Sequence, residues 1–253
     1  MIKKSLIVSL ILNLILLSAI SFYIYEMGFS NVTDKMVALV AGNEIKSEYL
    51  PIYQVRYSIF EGLKSSKEGI VFLGDSLIKN NEWSEFFNTS GNIYNRGISG
   101  DATYGVLNRI NQIVKIKPSK LFIMVGINDI IIGIPINETI SNYKKLVDTM
   151  KHNSPATAIF IQSVLPINAD LTSLKIGNDE IAKLNKSLKN LSDKEGVTYI
   201  DVNSLVCDNN ELNKNLTVDG IHLNRKGYLI WVKELKKYIN IWPSFVIITK
   251  SQN

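Results

Sequence analysis

The 253-residue sequence predicts an α/β fold, a parallel sheet with helices packed on both faces. Three observations predict it. Short apolar runs at Ile70–Leu73, Asn92–Tyr94, Leu121–Val125, Ala158–Gln162 and Thr198–Val202 have the length of buried strands. Stretches between and after them space their apolar residues as a helix does. Small polar motifs follow the first three runs, and ligands of parallel α/β sheets bind at the loops leaving the carboxyl ends of strands.

The chain begins with Lys3 and Lys4 ahead of an apolar run, Leu6 to Tyr25, broken only by Ser9, Asn13, Ser18 and Ser21. Twenty helical residues span about 30 Å, the thickness of a bilayer's hydrocarbon core. Residues 1–26 therefore read as a transmembrane signal anchor, with the two lysines inside and the rest of the chain extracytoplasmic. The competing reading is a cleaved signal peptide, with Ala19-Ile20-Ser21 at the cleavage site and a secreted product. Residues 27–47 read as a stalk, 48–241 as the folded domain and 242–253 as a tail without an assigned role.

Within the domain, Leu50, Tyr53, Tyr57 and Phe60 lie along one face of an expected helix from Glu48 to Glu61, with Pro51 in its first turn. Ile136, Ile140, Tyr143, Val147 and Met150 mark a second helix, Ile181 to Leu191 a third, and Tyr228, Trp231, Leu235 and Ile239 a last one capped by Asn224.

Composition narrows the function. The net charge of +5 is mild and the basic residues are scattered, which argues against nucleic acid as a partner. A single cysteine, Cys207, excludes an internal disulfide and any multi-cysteine metal site. Two histidines, His152 and His222, are the only imidazoles. His152 reads as a favourable charge at a helix C-terminus.

Four motifs remain: Gly74-Asp75-Ser76, Asn95-Arg96-Gly97-Ile98-Ser99-Gly100-Asp101, Gly126-Ile127-Asn128-Asp129 and Asp219-Gly220-Ile221-His222. With strand order 2-1-3-4-5, the loops bearing Ser76, Gly97 and Asn128 converge on one crevice. Residues 203–218, extended, reach roughly 50 Å. Returning His222 across three strand spacings needs only about 15 Å. A serine hydroxyl needs a base, which His222 supplies, and Asp219 three residues earlier can orient the imidazole. The N–H of Ser76, the N–H of Gly97 and the amide of Asn128 are the expected oxyanion donors. Asp75 and Ser76 also suit a plain helix cap, and Gly97 and Gly126 suit tight turns. A metal site from Asp75, Asp129, Asp219 and His222 lacks a compact ligand motif, so no metal is expected. Trp83, Tyr104 and the loop Pro166–Gly177 are candidates for the pocket wall.

These motifs, in this order, resemble the SGNH/GDSL hydrolase family, whose naming residues match Ser76, Gly97, Asn128 and His222, with Asp219 as the triad acid. The stretch Asn95–Asp101, with Val106-Leu107-Asn108-Arg109 after it, resembles the bacterial branch related to platelet-activating-factor acetylhydrolase and sialate O-acetylesterases. Gly-Asp-Ser-Leu-Ile departs slightly from that branch, which often has Ile-Thr at residues 77 and 78. The Gly-x-Ser-x-Gly of α/β-hydrolases is absent around Ser76. The resemblance implies a three-layer flavodoxin-like domain and hydrolysis of an ester without metal or organic cofactor. It further implies O-acyl substrates, with O-acetyl groups of an extracytoplasmic glycan foremost. Lysophospholipase or thioesterase activity, and a non-hydrolytic module binding glycan or lipid, are the alternatives.

Overall fold

The structure, a computed structural model, describes residues 51–63, 68–87, 92–174 and 176–239, together with Ser18 and Ser21. The chain divides into two units, Met1–Ile45 and Lys46–Asn253. Of the first, only the two serines are described, both helical and exposed. The expected anchor at 1–26, stalk at 27–47 and tail at 242–253 otherwise lie outside the described residues. Among the described residues no helix is long and apolar enough to cross a membrane.

The second unit contains helix α1 (Pro51–Gly62), then strand β1 (Ile70–Gly74) leading into the one-turn α2 (Ser76–Lys79). Strand β2 (Ile93–Gly97), α3 (Thr103–Asn108) and α4 (Ile110–Ile116) follow. Next come β3 (Lys120–Met124), α5 (Ile127–Ile131), α6 (Ile136–Asn153), β4 (Ala158–Gln162), α7 (Asn178–Glu195), β5 (Thr198–Ile200) and α8 (Arg225–Ile239). The strands form one parallel sheet in the order β2-β1-β3-β4-β5. The first three end level: Gly74 pairs with Gly97 on one side and with Met124 on the other. The three loops that follow therefore leave the sheet side by side.

Successive strand residues face opposite sides, which builds two cores. Val71, Leu73, Leu121 and Ile123 face α3, α4, α6 and α7 through Val106, Ile113, Tyr143, Val147, Leu184 and Leu188. Ile70, Phe72, Phe122 and Phe160 face α8 and the short helix Trp83–Phe86. That second core is an aromatic stack, with Phe72 and Trp83 at 4.2 Å between centroids, Phe72 and Phe122 at 5.0 Å, and Phe122 and Phe160 at 4.5 Å.

This packing corrects one sequence expectation. Trp83 is no pocket wall: it is 1% exposed, stands edge-on to Trp231 and donates its Nε1–H to the Ile78 carbonyl at 2.8 Å. Its flat apolar surface is worth more under the sheet than at a wet rim. A second correction concerns β2, expected to stop at Tyr94. It runs on through Asn95, Arg96 and Gly97, because pairing with β1 continues to the end of both strands. β5, expected to reach Val202, ends at Ile200, where the Val202 N–H turns back to the Ile200 carbonyl.

Candidate active site

The site starts where β1 ends. A side chain at Gly74 would lie 1.9 Å from the Met124 carbonyl oxygen, so only glycine lets the chain turn here against β3. Asp75 then caps α2, its Oδ1 accepting the Leu77 N–H at 2.9 Å. Ser76 becomes the first residue of the helix, partly exposed, among N–H groups that lack an intrahelical partner. The capping reading of this turn holds for Asp75, and the cap places Ser76 at the start of the helix.

His222 reaches Ser76 from the other end of the chain. Its Nε2 lies 2.9 Å from Ser76 Oγ. Its Nδ1 lies 2.7 Å from Asp219 Oδ2. The other Asp219 oxygen accepts the backbone N–H groups of Ile221 and His222 at 3.0 and 2.7 Å. One carboxylate thus fixes both the loop and the ring. An ionised Asp219 draws the imidazole proton to Nδ1 and leaves Nε2 to accept from the serine hydroxyl. Burial pushes the Asp219 carboxyl up, but its bonds to His222 and Ile221 outweigh that and hold it below the usual range.

The loop that carries the pair is closed by its own bonds. Thr217 bridges to Leu223, its hydroxyl donates to the His222 carbonyl at 2.8 Å, and the Gly220 N–H donates back to that hydroxyl. Gly220 has φ +86°, and the Asn168 N–H donates to its carbonyl at 2.8 Å. The loop Pro166–Gly177 is in this way tied to the histidine loop through Asn168. Tyr228 of α8 donates its hydroxyl to the Leu77 carbonyl at 2.8 Å, pinning α8 to the serine turn.

Asn128 stands in the first turn of α5, where Gly126 at φ +140° turns the chain out of β3. The Asn128 side-chain amide donates one N–H to the Asp101 carbonyl at 2.8 Å and has a second N–H to offer. Asp129 beside it is buried and accepts from the Thr103 N–H and hydroxyl and from the Thr139 hydroxyl. Burial pushes its carboxyl up against those bonds. Asp75, also buried, is pushed up to about 7, by burial first and further by the charges of Asp101 and Asp129.

The Gly97 N–H, expected as an oxyanion donor, is taken by a neighbouring side chain. That group donates to Asn95 Oδ1 at 2.9 Å, and a side chain here would strike the Lys79 backbone nitrogen at 2.3 Å. Gly97 is the glycine that lets α2 pack on β2. Gly100, three residues on, has φ +76° and is partly exposed, and it directly precedes the carbonyl that Asn128 holds. The sequence reading gave this second glycine of the motif no role of its own.

Of the expected pocket residues, Tyr104 lies in the first turn of α3, partly exposed. His152 sits in the last turn of α6, as expected. Among the described residues no group of three or more His, Cys, Asp or Glu side chains is placed to hold a metal ion.

Comparison with known proteins follows the same line. The model of the GDSL-like Lipase/Acylhydrolase family matches residues 58–230. The chain is similar to a Streptococcus pneumoniae protein provisionally named a platelet activating factor, with a TM-score of 0.70 and 28% identity over 81% of this chain and 98% of that one. A GDSL-like lipase of Bacteroides thetaiotaomicron shares the fold, with a TM-score of 0.64 and 23% identity over 74% of this chain and 96% of that one. An N-acylneuraminate cytidylyltransferase of Streptococcus agalactiae is 24% identical over 73% of this chain. The match spans 43% of that relative's length.

Proposed function

This chain belongs to the GDSL-like lipase/acylhydrolase family, and we propose that, as an ester hydrolase of that family, it cleaves O-acyl esters through a Ser76–His222–Asp219 triad and an acyl-enzyme. The observation that supports the triad is the pair of short contacts on one imidazole, 2.9 Å to Ser76 Oγ and 2.7 Å to Asp219 Oδ2. Ser76 Oγ attacks the acyl carbon as its proton passes to His222 Nε2. The tetrahedral oxyanion is held by the N–H groups of Ser76 and Gly100 and by the free N–H of Asn128. The alcohol leaves with the proton from His222. A water then gives its proton to His222, attacks the acyl carbon and releases the acid.

The preferred substrate is an O-acetyl ester of a carbohydrate outside the cytoplasm. The streptococcal relative is named for an N-acylneuraminate, an acylated sugar, and the Leu6–Tyr25 run favours export of the domain that starts near residue 48. A second reading, hydrolysis of lipid or thioester acyl groups, is favoured by two exposed apolar side chains near the histidine loop. Val218, 69% exposed, precedes Asp219, and Leu171, 48% exposed, lies on the loop tied to Gly220.

A series of chromogenic esters from acetyl upward, with Ser76→Ala as control, separates the two readings. A steep preference for acetyl supports the carbohydrate reading, and a rise with chain length supports the lipid one. Activity surviving in the control removes the triad. Fractionation of cells into cytoplasmic, membrane and extracytoplasmic pools tests the export: a domain recovered only with the cytoplasmic pool removes it.

A further inference from the structure

Arg109 has no place in the chemistry above, yet it is among the most completely buried side chains of the molecule. It is 0% exposed, as is its partner Asp101. Its Nε and one terminal nitrogen meet Asp101 Oδ2 at 3.0 and 2.8 Å. That same nitrogen donates to the Gly74 carbonyl at 3.1 Å, and the other donates to the Arg96 carbonyl at 2.8 Å. The three acceptors belong to three segments: the end of β1 two residues before Ser76, the end of β2, and the loop after Gly100.

A buried ion pair gains little stability over apolar side chains of the same size, because desolvation offsets the attraction. What the fork of a guanidinium does supply is direction: several fixed donors aimed at separate acceptors. A lysine has three donors on one nitrogen and cannot reach acceptors spread around a plane. The clamp also continues to the opposite wall, because the backbone carbonyl of Asp101 accepts from Asn128. Thr103, two residues on, is held by Asp129 from the far side. Helix α1 closes the clamp from outside. Phe60 lies under the guanidinium at 6.0 Å, and Tyr53 donates its hydroxyl to the Gly105 carbonyl at 3.0 Å.

We propose that Arg109 is the positioning residue of the oxyanion site, setting the gap between the Ser76 N–H and the Gly100–Asn128 side by joining the Gly74 carbonyl to Asp101. The proposal rests on the oxyanion assignment made above. It acts on the transition state alone, so it belongs in kcat. A displacement of about 1 Å in such a site costs on the order of 10²-fold.

The test uses the full chain and a chromogenic acetyl ester. Arg109→Lys keeps the charge and loses the fork. It is expected to lower kcat about 10²-fold, with KM within about twofold and the shape of the pH–rate profile unchanged. Ile113→Ala, a buried neighbour on α4 outside the clamp, controls for lost stability and is expected to keep its kcat at a temperature where both variants are folded. Equal losses of kcat in the two variants, or an unchanged kcat in Arg109→Lys, overturn the proposal. Should Arg109→Lys fail to fold, Asp101→Asn reads the clamp from its other partner and is expected to show the same fall in kcat at constant KM. Failure of both to give a cooperative melt assigns the pair to folding and also overturns it. If Ser76→Ala is dead while Arg109→Lys is fully active, the hydrolase reading stands and this inference alone falls.

Discussion

The proposed catalytic site around Ser76 has two sides built by opposite means. On one side stand His222 and Asp219, with side chains 31% and 47% exposed, on a loop that holds itself together with its own threonine, glycine and carboxylate. On the other stand Asn128 and Gly100, backed by the Arg109–Asp101 pair and by Asp129, all three charged groups buried. The difference follows from the work. A base must exchange protons with substrate and water, so its ring stays accessible. Oxyanion donors act by being fixed before charge develops, and fixation is strongest where side chains are packed and water is excluded.

The largest test of this contrast is removal of what both sides share. Ser76→Ala and His222→Ala should each lower kcat by several orders of magnitude, up to about 10⁶-fold, and the double variant should be little worse than either. Losses that multiply in the double variant would show that the two groups do not act as a unit. Next come single members of each side. Asp219→Ala is expected to cost on the order of 10²–10⁴-fold, and Asn128→Ala about 10²–10³-fold with KM nearly unchanged. The contrast sharpens in the pH profile: the Asp219 variant should shift the acidic limb, and the Asn128 variant should leave it in place. A shifted limb in Asn128→Ala breaks the division of labour.

A smaller effect lies in stability. The Asp75 carboxyl is pushed up to about 7 in the folded protein, against about 3.9 in an unfolded chain. The folded state therefore binds more protons between those values, and this group makes stability fall as pH rises from about 4 to about 7. Asp75→Asn keeps an acceptor for the Leu77 N–H and removes the titration. Its melting temperature should vary less with pH than that of wild type when measured from about pH 4 to about pH 7. Parallel curves would show that Asp75 is not the source. The smallest effect on catalysis is expected at Trp83. Trp83→Phe should lose about 1–3 kcal/mol of stability with its hydrogen bond to Ile78, while the preference among acyl chains stays put. A changed preference would return Trp83 to the pocket.

Much of this was legible in the residues. The runs at Ile70 and Leu121 read as strands because every residue in them is apolar, and α6 and α7 read as helices from their periodicity. Ser76, Asn128, Asp219 and His222 were singled out because each sits in a short motif with a chemical reason for its residue types, and the structure brings Ser76, His222 and Asp219 into contact. What failed depended on partners far away in sequence. Gly97 and Gly100 share one motif, and only the register of β2 on β1, with the Asn95 side chain, decides which N–H is taken. Trp83 lies among Asn81, Glu82 and Glu85 and looks like surface until Phe72 is placed beneath it. Arg109, a lone charge in an amphipathic stretch, looks solvated until Asp101 and two carbonyls close around it.

The distance in sequence between Ser76 and its base has a further meaning. They are 146 residues apart, and the histidine loop precedes the helix whose Tyr228 locks onto the serine turn. On the proposed mechanism the nucleophile emerges from vectorial synthesis long before its proton acceptor, so a growing polypeptide carries the sheet without hydrolytic power. By the same mechanism, competence waits for the seating of the last helix.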